Sequence, residues 1–127
     1  MTRSFLLIIA CGFAHGALAA DAADYPIRPT RMILPQTPGA TTDILGRLVF
    51  TRMSDRLGRQ IVVDNRPGVG GTLGMEAGAR ATPDGYTLIA VAASMLAITP
   101  HVYRKLPYDP LKDFIPVGLY VLAQTAL

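Results

Sequence analysis

Arg31-Met32-Ile33-Leu34, the stretch Pro35 to Ala40, the run Thr41 to Leu57 with Gly58 behind it, and Ile61-Val62-Val63 together decide the fold. Arg31–Leu34 is a short apolar run stopped by Pro35, which has no N–H to continue a ladder, and it reads as a buried strand. Gln36-Thr37-Pro38-Gly39-Ala40 is a loop. A helix starts at Thr41 or Thr42, where a threonine is expected to cap it. Asp43 falls in the first turn, a position the helix dipole favours for a negative charge. Leu45, Leu48, Val49, Met53 and Leu57 then recur at three- and four-residue steps, with Arg47, Arg52, Asp55 and Arg56 on other faces. Gly58 ends the helix, and Ile61–Val63 is a second strand-like run.

Working outward, Asp64-Asn65-Arg66-Pro67 leads into Gly68-Val69-Gly70-Gly71. A second helix opens near Thr72, carries Leu73, Ala77 and Arg80, and is weakened by Gly74 and Gly78. Thr82-Pro83-Asp84-Gly85 is a turn signature, and Tyr86 to Ala93 a third strand ending near Ser94. Met95 to Tyr103 is expected to be a short helix interrupted by Pro100, Leu106 to Pro110 a loop, and Phe114 to Leu122 a further strand. Upstream, Asp21 to Thr30 is a lead-in arm broken by Pro26 and Pro29. Strand, helix, strand, helix, strand with short connections predicts an α/β fold, a parallel sheet with flanking helices and right-handed crossovers. Near-continuous apolar strands fit a sheet covered on both faces. Open parallel sheets take ligands beyond the carboxyl ends of their strands, so a site belongs to Pro35–Thr42, Asn65–Thr72 and Ala93–Leu96.

The 127 residues suit one compact core, and 50% hydrophobic against 17% charged residues exclude a disordered polyelectrolyte. A net charge of +3 without a basic stripe argues against a nucleic-acid partner. Met1-Thr2-Arg3-Ser4, the apolar Phe5–Ala10 and Ala17-Leu18-Ala19-Ala20 have the layout of a secretory signal over residues 1–20, with cleavage after Ala19 or one residue later. The apolar run is shorter than the roughly 20 residues of a membrane span. Cys11, the sole cysteine, lies within that leader, so the mature chain is expected to offer no disulfide, thiolate nucleophile or Cys-ligated metal. Ile8-Ile9-Ala10-Cys11 loosely resembles a lipoprotein cleavage box.

The glycine stretch does not match a dinucleotide fingerprint, because Leu73 stands at the sixth place, and no lysine precedes Lys105 to complete a P-loop. No cofactor is expected. Bare N–H groups of Gly70, Gly71 and Thr72 at a helix N-terminus do suit a carboxylate. The same holds at Gly39, Ala40, Thr41 and Thr42, where main-chain amides and threonine hydroxyls can hold carboxylate oxygens or serve as plain caps. Ser94 can offer a hydroxyl to the same cleft, without the surround of a nucleophile elbow. Arg66 can pair with an anionic ligand or with Asp64 and loop carbonyls. His15 lies in the leader, which leaves only His101. One histidine builds no multi-histidine metal site, and no close carboxylate pair serves acid–base work.

Five blocks in order carry a family resemblance: Tyr25-Pro26 with Arg28-Pro29; Pro38-Gly39 with Thr42-Asp43-Ile44-Leu45; Asp64 through Gly71; Pro83-Asp84-Gly85-Tyr86-Thr87-Leu88; and Lys105 through Phe114. From Tyr25 to its end the chain resembles the extracytoplasmic solute receptors of tripartite tricarboxylate transporters, the Bug family. That resemblance implies a periplasmic-binding-protein-like receptor, monomeric and periplasmic, that binds without catalysis. It would hand small carboxylates (di- or tricarboxylates, acidic amino acids or aromatic acids) to membrane permease subunits. It places the ligand against the first-strand loop Pro35 to Asp43, the glycine loop from Asn65, and the neighbourhood of Ser94. Residues 21–120 would be a partial first domain and 121–127 the start of a crossover to a second.

The chain departs from the family pattern at Gln36, where an aromatic is usual, and at Ala40 and Thr41, which replace Gly and Ala. It also stops well short of the roughly 300 residues of such receptors, a two-domain size. Because these receptors close around the ligand, the fragment alone is expected to be weakly folded or inactive. Two other readings compete: a ligand-sensing partner of a membrane kinase, and an enzyme with a glycine-loop cofactor.

Overall fold

The computed structural model describes residues 24–122. The expected leader, residues 1–20, lies outside them, as do residues 123–127 and hence most of the expected crossover. The elements run β1 (Thr30–Leu34), α1 (Thr41–Leu57), β2 (Ile61–Asn65), a single turn over Val69–Gly71, α2 (Thr72–Ala79), β3 (Thr87–Ile89), α3 (Ala93–Ala97) and α4 (Thr99–Val102). The three strands form a parallel sheet in the order β2-β1-β3, with Thr30 opposite Ile61 and Arg31 opposite Thr87. This is the α/β architecture expected from the alternating pattern.

Burial explains why β1 lies at the centre. Met32, Ile33 and Leu34 are almost wholly buried, as a strand sandwiched between two covered faces requires. Met32 and Leu34 join Phe50 of α1, Ile61 and Ala90 in one core cluster. A second cluster is built on Met75 of α2, Met95 of α3 and Tyr108, with Ile89 and Phe114 packed against it.

The buried stripe of α1 is not the one its leucines suggest. Asp43, Gly46 and Phe50 are buried, whereas Leu48 is 65% exposed and Leu57 also reaches solvent. Gly46 is the reason: a Cβ there would lie 2.9 Å from the Phe50 ring, so its absence lets Phe50 lie down on Leu34. Leu48 is two residues from both Gly46 and Phe50, which turns it away from the sheet. On α2, Leu73 is half exposed and Met75 carries the burial instead.

Three further expectations are corrected. The strand β3 is shorter than Tyr86–Ala93, because Ala93 already begins α3 and Ser94 is helical rather than terminal to a strand. Met95 to Tyr103 forms two helices, with Pro100 in the first turn of α4, where its missing N–H costs nothing. Phe114–Leu122 is not a strand among the described residues. Its apolar Ile115, Val117, Leu119 and Leu122 are 76–88% exposed. The alternation is present, but no neighbouring backbone supplies the ladder that makes a strand. Only the ends are held: Phe114 stands edge-on to Tyr108, and Tyr120 packs on Phe50.

The lead-in arm is fastened to the turn before β3. Tyr25 donates its hydroxyl to the Gly85 carbonyl at 2.6 Å, Arg28 pairs with Asp84 at 2.7 Å, and the Arg28 guanidinium lies 4.2 Å from the centre of the Tyr86 ring.

Gly74, which looks like a weakness in α2, is a packing requirement. A Cβ there would come within 2.7 Å of the Pro35 Cα and 2.9 Å of the Arg66 carbonyl oxygen, both backbone atoms that cannot turn aside. Gly74→Ala is therefore expected to lower the urea-unfolding stability by about 1–3 kcal/mol, in spite of alanine's better helix propensity. Gly118→Ala, at a position with nothing within 4 Å, is expected to leave the midpoint unchanged.

Candidate functional site

The loops after β1, β2 and β3 meet around an open hollow of about 560 Å³. The first loop and the start of α1 contribute Pro35, Gln36, Thr37, Ala40, Thr41 and Thr42. The glycine loop contributes Pro67, Gly68, Gly70 and Gly71, and α3 contributes Met95. The hollow thus opens at the carboxyl ends of the strands, where a parallel sheet leaves helix N-termini exposed.

Asp43 holds the first of these loops in shape. It is 3% exposed, and both of its oxygens are engaged. The Gly39 N–H donates to Oδ2 at 2.8 Å, while Arg47 Nε and Asn65 Nδ2 donate to Oδ1, each at 3.0 Å. Asn65 also donates to the Gln36 carbonyl at 3.2 Å and accepts from Arg47 at 2.8 Å. One carboxylate therefore ties the β1 loop, α1 and the end of β2 together. The expected threonine cap is absent: Ala40 occupies the N-cap position with no side-chain bond, and the Asp43 and Ile44 N–H groups donate to its carbonyl. Asp43 instead reaches back to the Gly39 N–H, which lies before the helix, and fixes the loop that leads into α1. Helix geometry leaves the Thr41 and Thr42 N–H groups without an intrahelical acceptor. The Thr42 hydroxyl oxygen is buried without a partner.

The glycine loop is wound with the opposite hand. Gly68, Val69, Gly70 and Gly71 have φ of 123°, 48°, 64° and 90°, and the Gly71 N–H donates to the Gly68 carbonyl at 2.9 Å. Only glycine enters this region without strain, so Val69 is held there by its neighbours. Close approach adds a second demand at Gly71, where a Cβ would meet the Met95 methyl at 2.7 Å and the Pro35 carbonyl oxygen at 3.1 Å. This turn delivers the N-terminus of α2 to the hollow beside that of α1. Two of the three amides expected to be bare are engaged within this turn: Gly71 donates to Gly68, and Thr72 donates to the Val69 carbonyl. Thr72, the first residue of α2, is 7% exposed, and its hydroxyl oxygen has no partner.

Of the nine residues singled out in the sequence, Ala40, Thr41, Thr42, Gly70 and Gly71 line the hollow. Gly39, Asp43 and Thr72 are outside the lining, Gly39 exposed and the other two buried. Ser94 is exposed on α3 and outside the lining, with its carbonyl accepting from Ile98 N–H and the Thr99 hydroxyl. Met95, one residue further on, takes the wall position. Its signal in the sequence was only an apolar residue just past a strand. Arg66 turns to Asp64, with Nε 3.1 Å from Oδ2, and Arg31 bonds the same carboxylate. Arg31, then Arg66, hold the Asp64 carboxyl below the ordinary range against the opposing effect of burial. Among the described residues no cluster of three His, Cys, Asp or Glu side chains could hold a metal, and no helix is long and apolar enough to cross a membrane.

A parallel sheet with flanking helices and a hollow at its strand ends is an α/β architecture, and its likeness to solved periplasmic binding proteins places it in their class. The chain belongs to the family of tripartite tricarboxylate transporter family receptors (TctC), whose sequence profile matches residues 45–127. It is 39% identical over 122 residues to the protein BugT of Bordetella pertussis, covering 94% of this chain and 37% of that one. The structure of the periplasmic binding protein BugD is 38% identical with a TM-score of 0.70, over 74% of this chain and 31% of its own. MatC from Rhodopseudomonas palustris with bound malate is 38% identical with a TM-score of 0.72, over 76% and 33%. The chain spans about a third of the length of the curated relatives it matches.

The Gly39 N–H, followed by the Arg47 hydrogen bond, outweighs burial and lowers the Asp43 carboxyl from 3.8 to about 2. A folded-state value below the unfolded one stabilises the fold above about pH 4, and this contribution fades as the pH falls toward 2. Its size is on the order of 2 kcal/mol. Asp43→Asn is expected to lose about that much stability at pH 7 and to show a flatter decline in urea midpoint between pH 5 and pH 2 than the parent. Asp64 is common to both proteins, so the difference between the two curves isolates Asp43.

Proposed function

We propose that this chain forms one wall of a periplasmic receptor that captures a small organic carboxylate and presents it to membrane permease subunits. In this reading the main-chain N–H groups of Thr41, Thr42 and Gly70 and the threonine hydroxyls hold the carboxylate, while Ala40 and Gly71, whose N–H groups bond within their own loops, shape the wall. Gly39, Asp43 and Thr72 keep those groups in place, and Ser94 borders the cleft mouth. The leader, residues 1–20, directs export, and residues 21–120 form the first ligand-binding domain, followed by the start of a crossover. The receptor acts as a monomer, without a cofactor, and releases its ligand unchanged.

The observation that carries the proposal is the convergence of two helix N-termini, those of α1 and α2, on one hollow whose lining has no ionisable side chain. The start of α1 presents the unpaired Thr41 and Thr42 N–H donors, and both helices bring the positive end of their dipoles, which matches a carboxylate. Malate bound in MatC, 38% identical to this chain, supports the ligand class. Membership in a receptor family, and not an enzyme family, supports binding without turnover.

Titrating malate and succinate into the ¹⁵N-labelled chain at millimolar concentration is expected to shift the amide resonances of Thr41, Thr42, Gly70 and Gly71 together, in a saturable manner. Neutral analogues such as succinamide are expected to leave them in place. Shifts scattered over the surface, or none at these four amides, would refute the proposal.

A further inference from the structure

Within that receptor reading, on which this step rests, we infer that Tyr103 is a positioning residue of the site. Its hydroxyl lies against Gly70 and holds the glycine loop in the left-handed winding that keeps Gly70 in the wall of the hollow. Tyr103 directly follows α4 and is no part of the lining. Yet a Cβ added at Gly70 would come 2.9 Å from the Tyr103 hydroxyl oxygen and 3.7 Å from the ring carbon that bears it. The Tyr103 N–H donates to the Thr99 carbonyl at 3.1 Å, so the backbone that carries the ring is tied to α4.

The loop needs a hold of this kind. Val69 and Gly70 sit at φ 48° and 64°, and the strain at Val69 favours unwinding. Val69 is 59% exposed, so its own side chain adds little packing against that tendency. The turn's two hydrogen bonds, from Gly71 to Gly68 and from Thr72 to Val69, leave the Gly70 N–H without a backbone acceptor among the described residues. The amide with most to offer a ligand is therefore the one its own turn fixes least. Met95 secures the next residue, since its methyl stands 2.7 Å from where a Gly71 Cβ would be. The Tyr108 hydroxyl in turn donates to the Met95 carbonyl at 3.2 Å. Gly71 is thus gripped from α3 and Gly70 from the end of α4, and removal of the Tyr103 side chain releases the position whose amide is unpaired.

Tyr103→Ala and Tyr103→Phe test the inference in the ¹⁵N-labelled chain, with Val102→Ala, at a neighbour that is 69% exposed, as the control. Order at Gly70 is read from its amide heteronuclear NOE without ligand, and malate affinity from the Thr41 and Thr42 amide shifts. Tyr103→Ala is expected to lower the Gly70 NOE, leave those of Thr41 and Thr42 at parental values, and weaken malate binding severalfold. Tyr103→Phe keeps the ring and loses only the atom closest to Gly70, so it is expected to fall between the parent and the alanine variant on both readouts. If the alanine variant does not fold, the phenylalanine variant decides alone: lowered order with weakened binding supports the inference, and parental values overturn it. A parental Gly70 NOE in both variants, a lowered NOE with parental malate affinity, or an equal loss in Val102→Ala also overturns it while leaving the receptor reading intact. Failure of malate to move the Thr41 and Thr42 amides of the parent removes the receptor reading itself, and this step with it.

Discussion

The buried carboxylate of Asp43 is the constraint on which the described structure turns. The β1 loop, helix α1 and the end of β2 must hold a fixed spacing, and all three bond to this one side chain: the Gly39 amide, the Arg47 guanidinium and, from 22 residues further on, the Asn65 amide. Charge-assisted bonds of this kind are stronger than neutral ones, and so many partners offset the desolvation of a group that is only 3% exposed. No side chain caps the first turn of α1, since Asp43 reaches backward to Gly39. Thr41, Thr42 and their amides stay in the wall of the hollow.

The second demand is closeness. The Val69–Gly71 turn, Gly74 and Pro35 lie against one another so tightly that a single added methyl at Gly71 or Gly74 would meet backbone atoms or the Met95 side chain. This contact brings α2 up to the end of β1 and sets its N-terminus beside that of α1. Glycine supplies both properties required, positive φ at 70 and 71 and no side chain at 71 and 74. Val69 has neither advantage and sits at φ 48° with its side chain exposed, a local strain held by the turn's own hydrogen bonds and located beside the hollow.

Much of this was legible in the sequence. The strand–helix alternation pointed to the parallel sheet, because short apolar runs bounded by Pro and Gly leave few other choices, and the three loops named from it are the three that line the hollow. What escaped was set by tertiary contact. Gly46 reads as a helix defect, yet it decides which face of α1 is buried by admitting the Phe50 ring. Gly74 reads as a weakness and is a packing necessity. The alternation Ile115, Val117, Leu119 is a true strand pattern, but a strand exists only where a neighbour pairs with it, and periodicity cannot report that. Met95 displaced Ser94 from the wall because β3 ends at Ile89, four residues before Ala93, and Ala93 already opens helix α3. Such a boundary shift rotates every side chain behind it.

The distribution of charge explains why the hollow itself leaves so faint a trace in the residue types. The strong side-chain pairs are spent on architecture: Asp43 with Arg47, Asp64 with Arg31 and Arg66, Asp84 with Arg28. None of these groups lines the hollow. The attraction available there comes from peptide dipoles, which cannot swing away to pair elsewhere, and their direction is fixed by the fold rather than by any one side chain. A wall of this kind tolerates wide variation in side chains such as Gln36 and Ala40, provided that the glycine geometry and the Asp43 knot keep the amides aimed.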